Sequence, residues 1–309
     1  MRILVTGGCG FIGSHIVDAY IAQGHDVTII DDLSTGTIDN LNKKATFFEK
    51  DIADPDLHAL LGNHTYDVVN HHAAQINVRT SVSDPILDAR TNIIGALNIL
   101  HYGIHHDMKR FIFASSGGTV YGEPSEFPIT ENFPIAPTSP YGIAKAAFER
   151  YLTVFAALYG YRSVILRYAN VYGPRQISKS EAGVISIFIE NILNNTGCTI
   201  YGDGKQTRDY VYVADVVDAN VCALTSDALT VNIGTGIETS VNALIDILSH
   251  IAGQKIAHEH GQARAGEVFR NVVSPQKAAQ LLDWKPTTTL NKGIAQTFEY
   301  FKNKSAHTE

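Results

Sequence analysis

Short runs of valine, isoleucine and phenylalanine punctuate the first half of the chain, with room for a helix between most of them. Residues 3–5, 27–30, 47–48, 68–69, 111–113 and 164–166 are apolar runs too short for helices. They fit strands covered on both faces. Between them, residues 11–23, 55–61, 85–106 and 140–159 carry helical spacing. This alternation predicts an α/β protein with a doubly wound parallel sheet. Beyond Gly173 the rhythm shortens. We read a helix over 182–193, a strand at 199–201, a turn at Gly202-Asp203-Gly204, a strand at 210–213, a helix from Asp215 and a closing helix over 291–302. Residues 1–173, with 207–233 interleaved, are expected to form the sheet domain. Residues 174–206 and 234–309 then form a smaller C-terminal α/β lobe that holds substrate.

Composition narrows the picture. The 309 residues carry a net charge of -7 and no basic run, which leaves nucleic acid no electrostatic footprint. No apolar stretch approaches the ~20 residues that span a bilayer, and the apolar start reads as a buried strand, not a leader. Cys9, Cys198 and Cys222 are scattered and odd in number, so a soluble, cytoplasmic protein is expected. His101 and His105 sit one turn apart, but nothing completes a ligand set. With 13 histidines in the chain, coincidence is the better account and no metal is expected.

The first run leads into Thr6-Gly7-Gly8-Cys9-Gly10-Phe11-Ile12-Gly13, where G-x-G-x-x-G and T-G-x-x-G-x-x-G overlap. Glycines let the backbone turn tightly and approach a pyrophosphate, and the following helix adds partial positive charge. The second run ends at Asp31, about 20 residues on, where a carboxylate accepts from the adenosine ribose and repels a ribose phosphate. NAD is expected over NADP. Further along, Pro140-Tyr141-Gly142-Ile143-Ala144-Lys145 opens a helix and sets Tyr141 and Lys145 on one face. A phenol of free pKa about 10 becomes a usable base when positive charge favours phenolate. The run at 111–113 ends in Ala114-Ser115-Ser116-Gly117-Gly118-Thr119-Val120-Tyr121-Gly122, at the edge where such sheets bind ligands. Ser116 is the favoured hydroxyl for the reacting oxygen, with Ser115 and Thr119 as alternatives.

These motifs, with Asp51-Ile52, His71-His72-Ala73-Ala74 and Arg167-Tyr168-Ala169-Asn170-Val171-Tyr172-Gly173-Pro174-Arg175, resemble the extended short-chain dehydrogenase/reductase family over nearly the whole chain. Within it, the branch that epimerises C4 of UDP-hexoses is most similar. The resemblance implies a Rossmann-type sheet and tightly held NAD. It also implies a transient 4-keto sugar made from UDP-glucose or UDP-galactose. Ser116, Tyr141 and Lys145 would be catalytic. Gly7, Gly10, Phe11, Ile12, Gly13, Asp31, Asp51, Ile52, Ala73, Ala74, Gln75, Asn92 and Tyr168 would line the cofactor, together with Tyr141 and Lys145. The UDP-sugar would meet Ser116, Asn170, Val184, Ile185, Tyr201, Arg208, Arg264, Glu267 and Asn271, the arginines on its diphosphate. The helices near 92–100 and 144–159 would form a four-helix homodimer interface.

The chain departs from the family pattern in three places. The serine turn carries an extra glycine. Gly183 stands where many relatives have an asparagine. Asn271 falls near the position where a large aromatic residue excludes N-acetylated sugars, so room is left for UDP-GlcNAc and UDP-GalNAc. Nucleotide-sugar 4,6-dehydratases carry an Asp-Glu pair after the active-site hydroxyl for acid and base work. Here Gly117-Gly118 follows, which disfavours water loss. A UDP-glucuronate epimerase or decarboxylase needs a cation for the sugar carboxylate, and the sequence identifies none. A non-catalytic NAD-sensing regulator typically loses the Tyr or the Lys, and both are present.

Overall fold

The computed structural model describes residues 1–177, 183–263 and 268–306. The chain runs β1 (Arg2–Thr6), α1 (Phe11–Ala22), β2 (Asp26–Asp31), β3 (Thr46–Glu49), α2 (Leu57–Leu61), β4 (Val68–His71), α3 (Val78–Ser83) and α4 (Pro85–Ala89). A π-helical stretch, Arg90–Gly95, joins α4 to α5 (Ala96–His105). Then come β5 (Arg110–Ser116), α6 (Pro140–Tyr159), β6 (Arg162–Tyr168), β7 (Asn170–Tyr172), α7 (Val184–Leu193), β8 (Cys198–Tyr201), β9 (Thr207–Tyr212) and α8 (Val213–Ala223). The rest is β10 (Leu229–Ile233), β11 (Glu238–Ser240), α9 (Val241–Ala252), β12 (His258–Gly261), β13 (Arg270–Asn271), α10 (Gln276–Leu281) and α11 (Leu290–Ala306).

Seven parallel strands form one sheet in the order β10-β6-β5-β4-β1-β2-β3. This is the expected Rossmann-type arrangement, with β10 added beside β6. Because every strand runs the same way, Thr6, Asp31, His71, Ser116 and Tyr168 end on one edge. Apolar side chains leave the sheet on both faces. One core, around Ile3, Val5, Ile112, Val164 and Leu166, packs under α1 and α8. The other, around Leu4, Val69, Phe111, Phe113 and Phe148, packs under α5 and α6. A third core, with Ile185, Phe188, Leu244 and Phe298, belongs to the C-terminal elements. There β9 is the centre of a small sheet, between β11 and β13 and also paired with β7.

Local chemistry sets the boundaries. Ser139 caps α6, its Oγ accepting from the Gly142 N–H at 3.2 Å, and Pro140 follows at the first turn. Gly160, at φ +77°, ends that helix in the left-handed conformation that glycine adopts without penalty. The expected single helix over 85–106 is instead α4, the π-helical stretch and α5, with α3 as a further short helix before Pro85. Spacing alone cannot register the extra residue that a π-turn inserts. Two bounds shift slightly: α7 begins at Val184, and α8 begins at Val213. All three cysteines are free thiols. Among the described residues no helix is long and apolar enough to cross a membrane.

One buried ion pair joins α6 to the sheet. Arg167 on β6 grips Glu149 on α6 through Nε–Oε1 at 3.0 Å and Nη2–Oε2 at 2.6 Å, and Ser115 Oγ donates to the same carboxylate at 2.5 Å. Removing one member strands the other's charge in the interior. Glu149→Leu is expected to lower stability by about 3–5 kcal/mol in urea unfolding. Adding Arg167→Met should restore most of it. A single variant as stable as the parent would show the pair to be dispensable.

Candidate active site

The glycine turn follows β1 and is built by close backbone approach. Gly7 has φ +71°, and a Cβ there would lie 2.6 Å from the Ala73 nitrogen. A Cβ on Gly13 would lie 2.1 Å from the Gly7 carbonyl oxygen. Gly10 caps α1 with no side chain to bond its first turn, which leaves that end suited to an anion. Asp31, 5% exposed, accepts from Cys9 N at 2.8 Å and Leu33 N at 2.9 Å. Burial raises its pKa, while those hydrogen bonds pull the other way. The cradle and the carboxylate are therefore contiguous, and they fit a dinucleotide.

Ala73, Ala74 and Gln75 continue from β4. Ala73 N donates to Thr6 Oγ1 at 3.2 Å, and Gln75 N to Asn92 Oδ1 at 3.0 Å. Asn92 Nδ2 donates back to Gln75 O at 2.8 Å. Gly95, where the π-helical stretch ends, is pressed on Ile52: a Cβ would lie 2.7 Å from Ile52 Cγ1. Asp51 Oδ1 accepts from Ala53 N at 2.8 Å. Tyr168 places its hydroxyl 3.1 Å from His72 Nε2, accepts from Asn220 Nδ2 at 2.8 Å and stacks on the His72 ring. Phe11 and Ile12, opening α1, pack on the third and first cores respectively.

Tyr141 and Lys145 meet the serine turn. The Ser116 hydroxyl acts on the Tyr141 phenol and lowers its pKa. Ser115 is turned away to Glu149, so of the two serines only Ser116 faces the phenol. Lys145 Nζ donates to Ala114 O at 3.0 Å and lies 4.8 Å from the Phe113 ring centroid and 5.7 Å from that of Tyr141. Burial pulls its pKa down to about 8, with Asp88 and Glu149 opposing. Tyr141 is pushed up, first by burial and then by the charge of Asp88, while Ser116 acts downward. Burial and Asp88 thus favour the protonated phenol, and positive charge acts the other way.

The small sheet gathers part of the expected substrate set. Register pairs Asn271 with Arg208 and Asn170 with Tyr210. Asn271, 2% exposed, donates from Nδ2 to the Gly117 carbonyl at 3.2 Å, joining this sheet to the serine turn. Arg208 Nη1 donates to its neighbour's carbonyl, Thr207 O, at 2.8 Å. Tyr201 ends β8 in a separate two-stranded sheet and is partly exposed. Val184 and Ile185 open α7, but the Ile185 side chain is in the third core, so only its backbone can face a ligand. Arg264 and Glu267 lie outside the described residues.

Three residues at this site were given no role by the motif reading, although Arg167 lies in one of the motifs. Glu149 is one turn beyond Lys145, Arg167 sits opposite Ser115 in register, and Asp88 is one turn before Asn92. The i, i+4 spacings were visible signals for Glu149 and Asp88. Nothing local announces the Arg167 partnership.

The family model described as the NAD dependent epimerase/dehydratase family matches residues 3–234. The chain belongs to that family. Its dinucleotide is accordingly NAD. The UDP-glucose 4-epimerase of Thermotoga maritima, solved with UDP-glucose, superposes with TM-score 0.97 at 45% identity, covering 99% of this chain and 100% of that one. The UDP-glucose 4-epimerase of Mycolicibacterium smegmatis is 42% identical over 99% of this chain and 100% of its own length. A UDP-N-acetylglucosamine 4-epimerase of Methanobrevibacter ruminantium, solved with UDP-N-acetylmuramic acid, superposes with TM-score 0.92 at 37% identity, covering 98% of each chain.

The Gly13 clash is with backbone and cannot be relieved by a rotamer change. Gly13→Ala should therefore be purified with at least tenfold less bound dinucleotide, read by absorbance and by release on denaturation. Full retention would show that the turn can open by itself.

Proposed function

We propose that this enzyme inverts C4 of a UDP-hexose, interconverting UDP-glucose and UDP-galactose without net redox change. The observation that carries the reading is the meeting of Tyr141 and Lys145 with the Ser116 turn at the carboxyl edge of the sheet, where Lys145 Nζ is 3.0 Å from Ala114 O and 5.7 Å from the Tyr141 ring centroid. The turn beyond Ser116 is Gly117-Gly118, with no carboxylate to drive dehydration. The high identity to 4-epimerases across the full chain supports the same conclusion.

Gly7, Gly10, Phe11, Ile12, Gly13, Asp31 and the 73–75 segment would hold NAD. When bound, NAD supplies the acceptor and then the donor of the C4 hydride. Tyr141 takes the proton of the C4 hydroxyl, with Ser116 bonded to the same oxygen. Lys145 would hold the nicotinamide ribose, and its Nζ lies 5.7 Å from the Tyr141 ring centroid. Asn170, Arg208, Tyr201 and the start of α7 would hold the UDP group while the 4-keto sugar presents its other face; the hydride would return to C4 on that face, and Tyr141 would give the proton back to the C4 oxygen.

N-acetylated sugars are a second substrate class. Asn271 stands against the serine turn, and among the described residues its Oδ1 has no hydrogen-bond partner. A buried acceptor of this kind suits an amide N–H. The N-acetylglucosamine enzyme among the similar structures agrees with this reading.

A two-fold homodimer is proposed through α6 and the helical stretch from α4 to α5 that contains residues 92–100. Ile86, Ile94, Ile143, Val154 and Leu158 are exposed on these helices. A row of apolar side chains on two adjacent helices suits burial against its own copy. The free thiols fit a reducing cytoplasm.

Purified protein given UDP-galactose should form UDP-glucose with no added reductant, followed by product chromatography. Tyr141→Phe should cut kcat by at least a thousandfold while keeping NAD bound. UDP-GalNAc should also turn over, and Asn271→Tyr should abolish only that conversion. Inactivity on every UDP-hexose would refute the epimerase reading. Val154→Glu/Leu158→Glu should sediment as a monomer where the parent is a dimer; an unchanged parent-like coefficient would place the interface elsewhere.

A further inference from the structure

Asp88 is a carboxylate at 1% exposure whose hydrogen-bond partners are neutral. Its Oδ1 accepts from Gln75 Nε2 at 2.8 Å and from Asn92 Nδ2 at 2.9 Å. Both donors are carboxamides, so among the described residues no cation cancels its charge at contact. Burial raises its pKa, and its two amide partners and Lys145 act against that rise. An unpaired buried carboxylate is costly to a fold and is commonly kept for function.

The other groups facing Tyr141 and Lys145 contribute little free charge. Glu149 is matched by Arg167 and Ser115. His71 and His72 are held neutral by burial, reinforced by Lys145, with His72 pulled down to about 3. Ser116 is uncharged. Lys145 itself is held by a backbone carbonyl and two aromatic rings. Among the described residues, the unmatched negative charge that acts on both the phenol and the ammonium is that of Asp88, carried by α4 where it packs on α6.

We propose that Asp88 is a positioning residue for proton transfer: held on Gln75 and Asn92, it supplies the counter-charge that keeps Lys145 an ammonium and opposes early ionisation of Tyr141. The same carboxylate fixes Gln75 and Asn92, and through them the segment expected beside the cofactor. The sign of the effect follows from the charges. Asp88 raises the pKa of Tyr141 and of Lys145, so its loss lowers both. Tyr141 then becomes phenolate at lower pH.

The inference rests on Tyr141 as the base, and Asp88→Asn tests it in the NAD-loaded enzyme. Both hydrogen bonds end on Oδ1, so an asparagine oxygen can keep them while the charge is removed. The acid limb of the kcat/KM profile should move down by about one pH unit. The ultraviolet phenolate signal, taken as the difference from Tyr141→Phe, should shift the same way without reference to turnover. An unmoved limb and an unmoved phenolate signal, with Tyr141→Phe inactive, would overturn this role alone. Activity in Tyr141→Phe would overturn the base assignment first. A variant that melts well below the parent with its limb in place would mark Asp88 as a structural residue.

Discussion

The reactive edge depends on how α6 is fastened to the sheet. Glu149 receives two bonds from Arg167 and one from Ser115, which stand opposite each other on β6 and β5. Lys145 is one turn from Glu149, and Tyr141 one turn further. Clamping the carboxylate thus sets the rotation of the helix about its axis and aims both side chains at the strand ends. It also turns Ser115 inward, so Ser116 is the serine that meets the phenol. Hydrogen-bonded guanidinium geometry is directional, which suits it to fixing an orientation.

A second fastening joins the two halves of the cleft. β9 lies between β11 and β13, and β7 leads into it directly from the end of β6. Asp209 on β9 is fully buried and accepts from Thr235 N, Thr235 Oγ1 and Gly236 N, tying the small sheet to the turn that follows β10. Asn271 reaches from β13 to Gly117. Parts of the small sheet are therefore held against the large sheet by short polar links, which suits a cleft that must keep its width.

The large sheet was legible because its signals are local. Continuous apolar runs, the glycine turn and the Tyr141/Lys145 spacing each occupy a few consecutive residues. The small sheet was not. β11 and β13 are 3 and 2 residues long, too short to carry a period of their own. α9 is a regular helix that the reading of isolated motifs passed over. At the site, Asp31 and Ser116 were readable from position after a strand. Of the Asp88–Gln75–Asn92 cluster only the i, i+4 pair was readable, because the bond to Gln75 connects α4 to the segment after β4.

β10 joins the large sheet only after the chain has passed through β7, β8 and β9, which belong to the smaller sheets. A chain emerging N-terminus first therefore presents β6 as a bare edge until Leu229–Ile233 has followed. At ordinary rates of synthesis that interval is on the order of seconds. Unpaired edges of this kind recruit other strands. The nascent protein consequently has a window of vulnerability to misassembly on the ribosome, which closes as the last quarter of the chain is made.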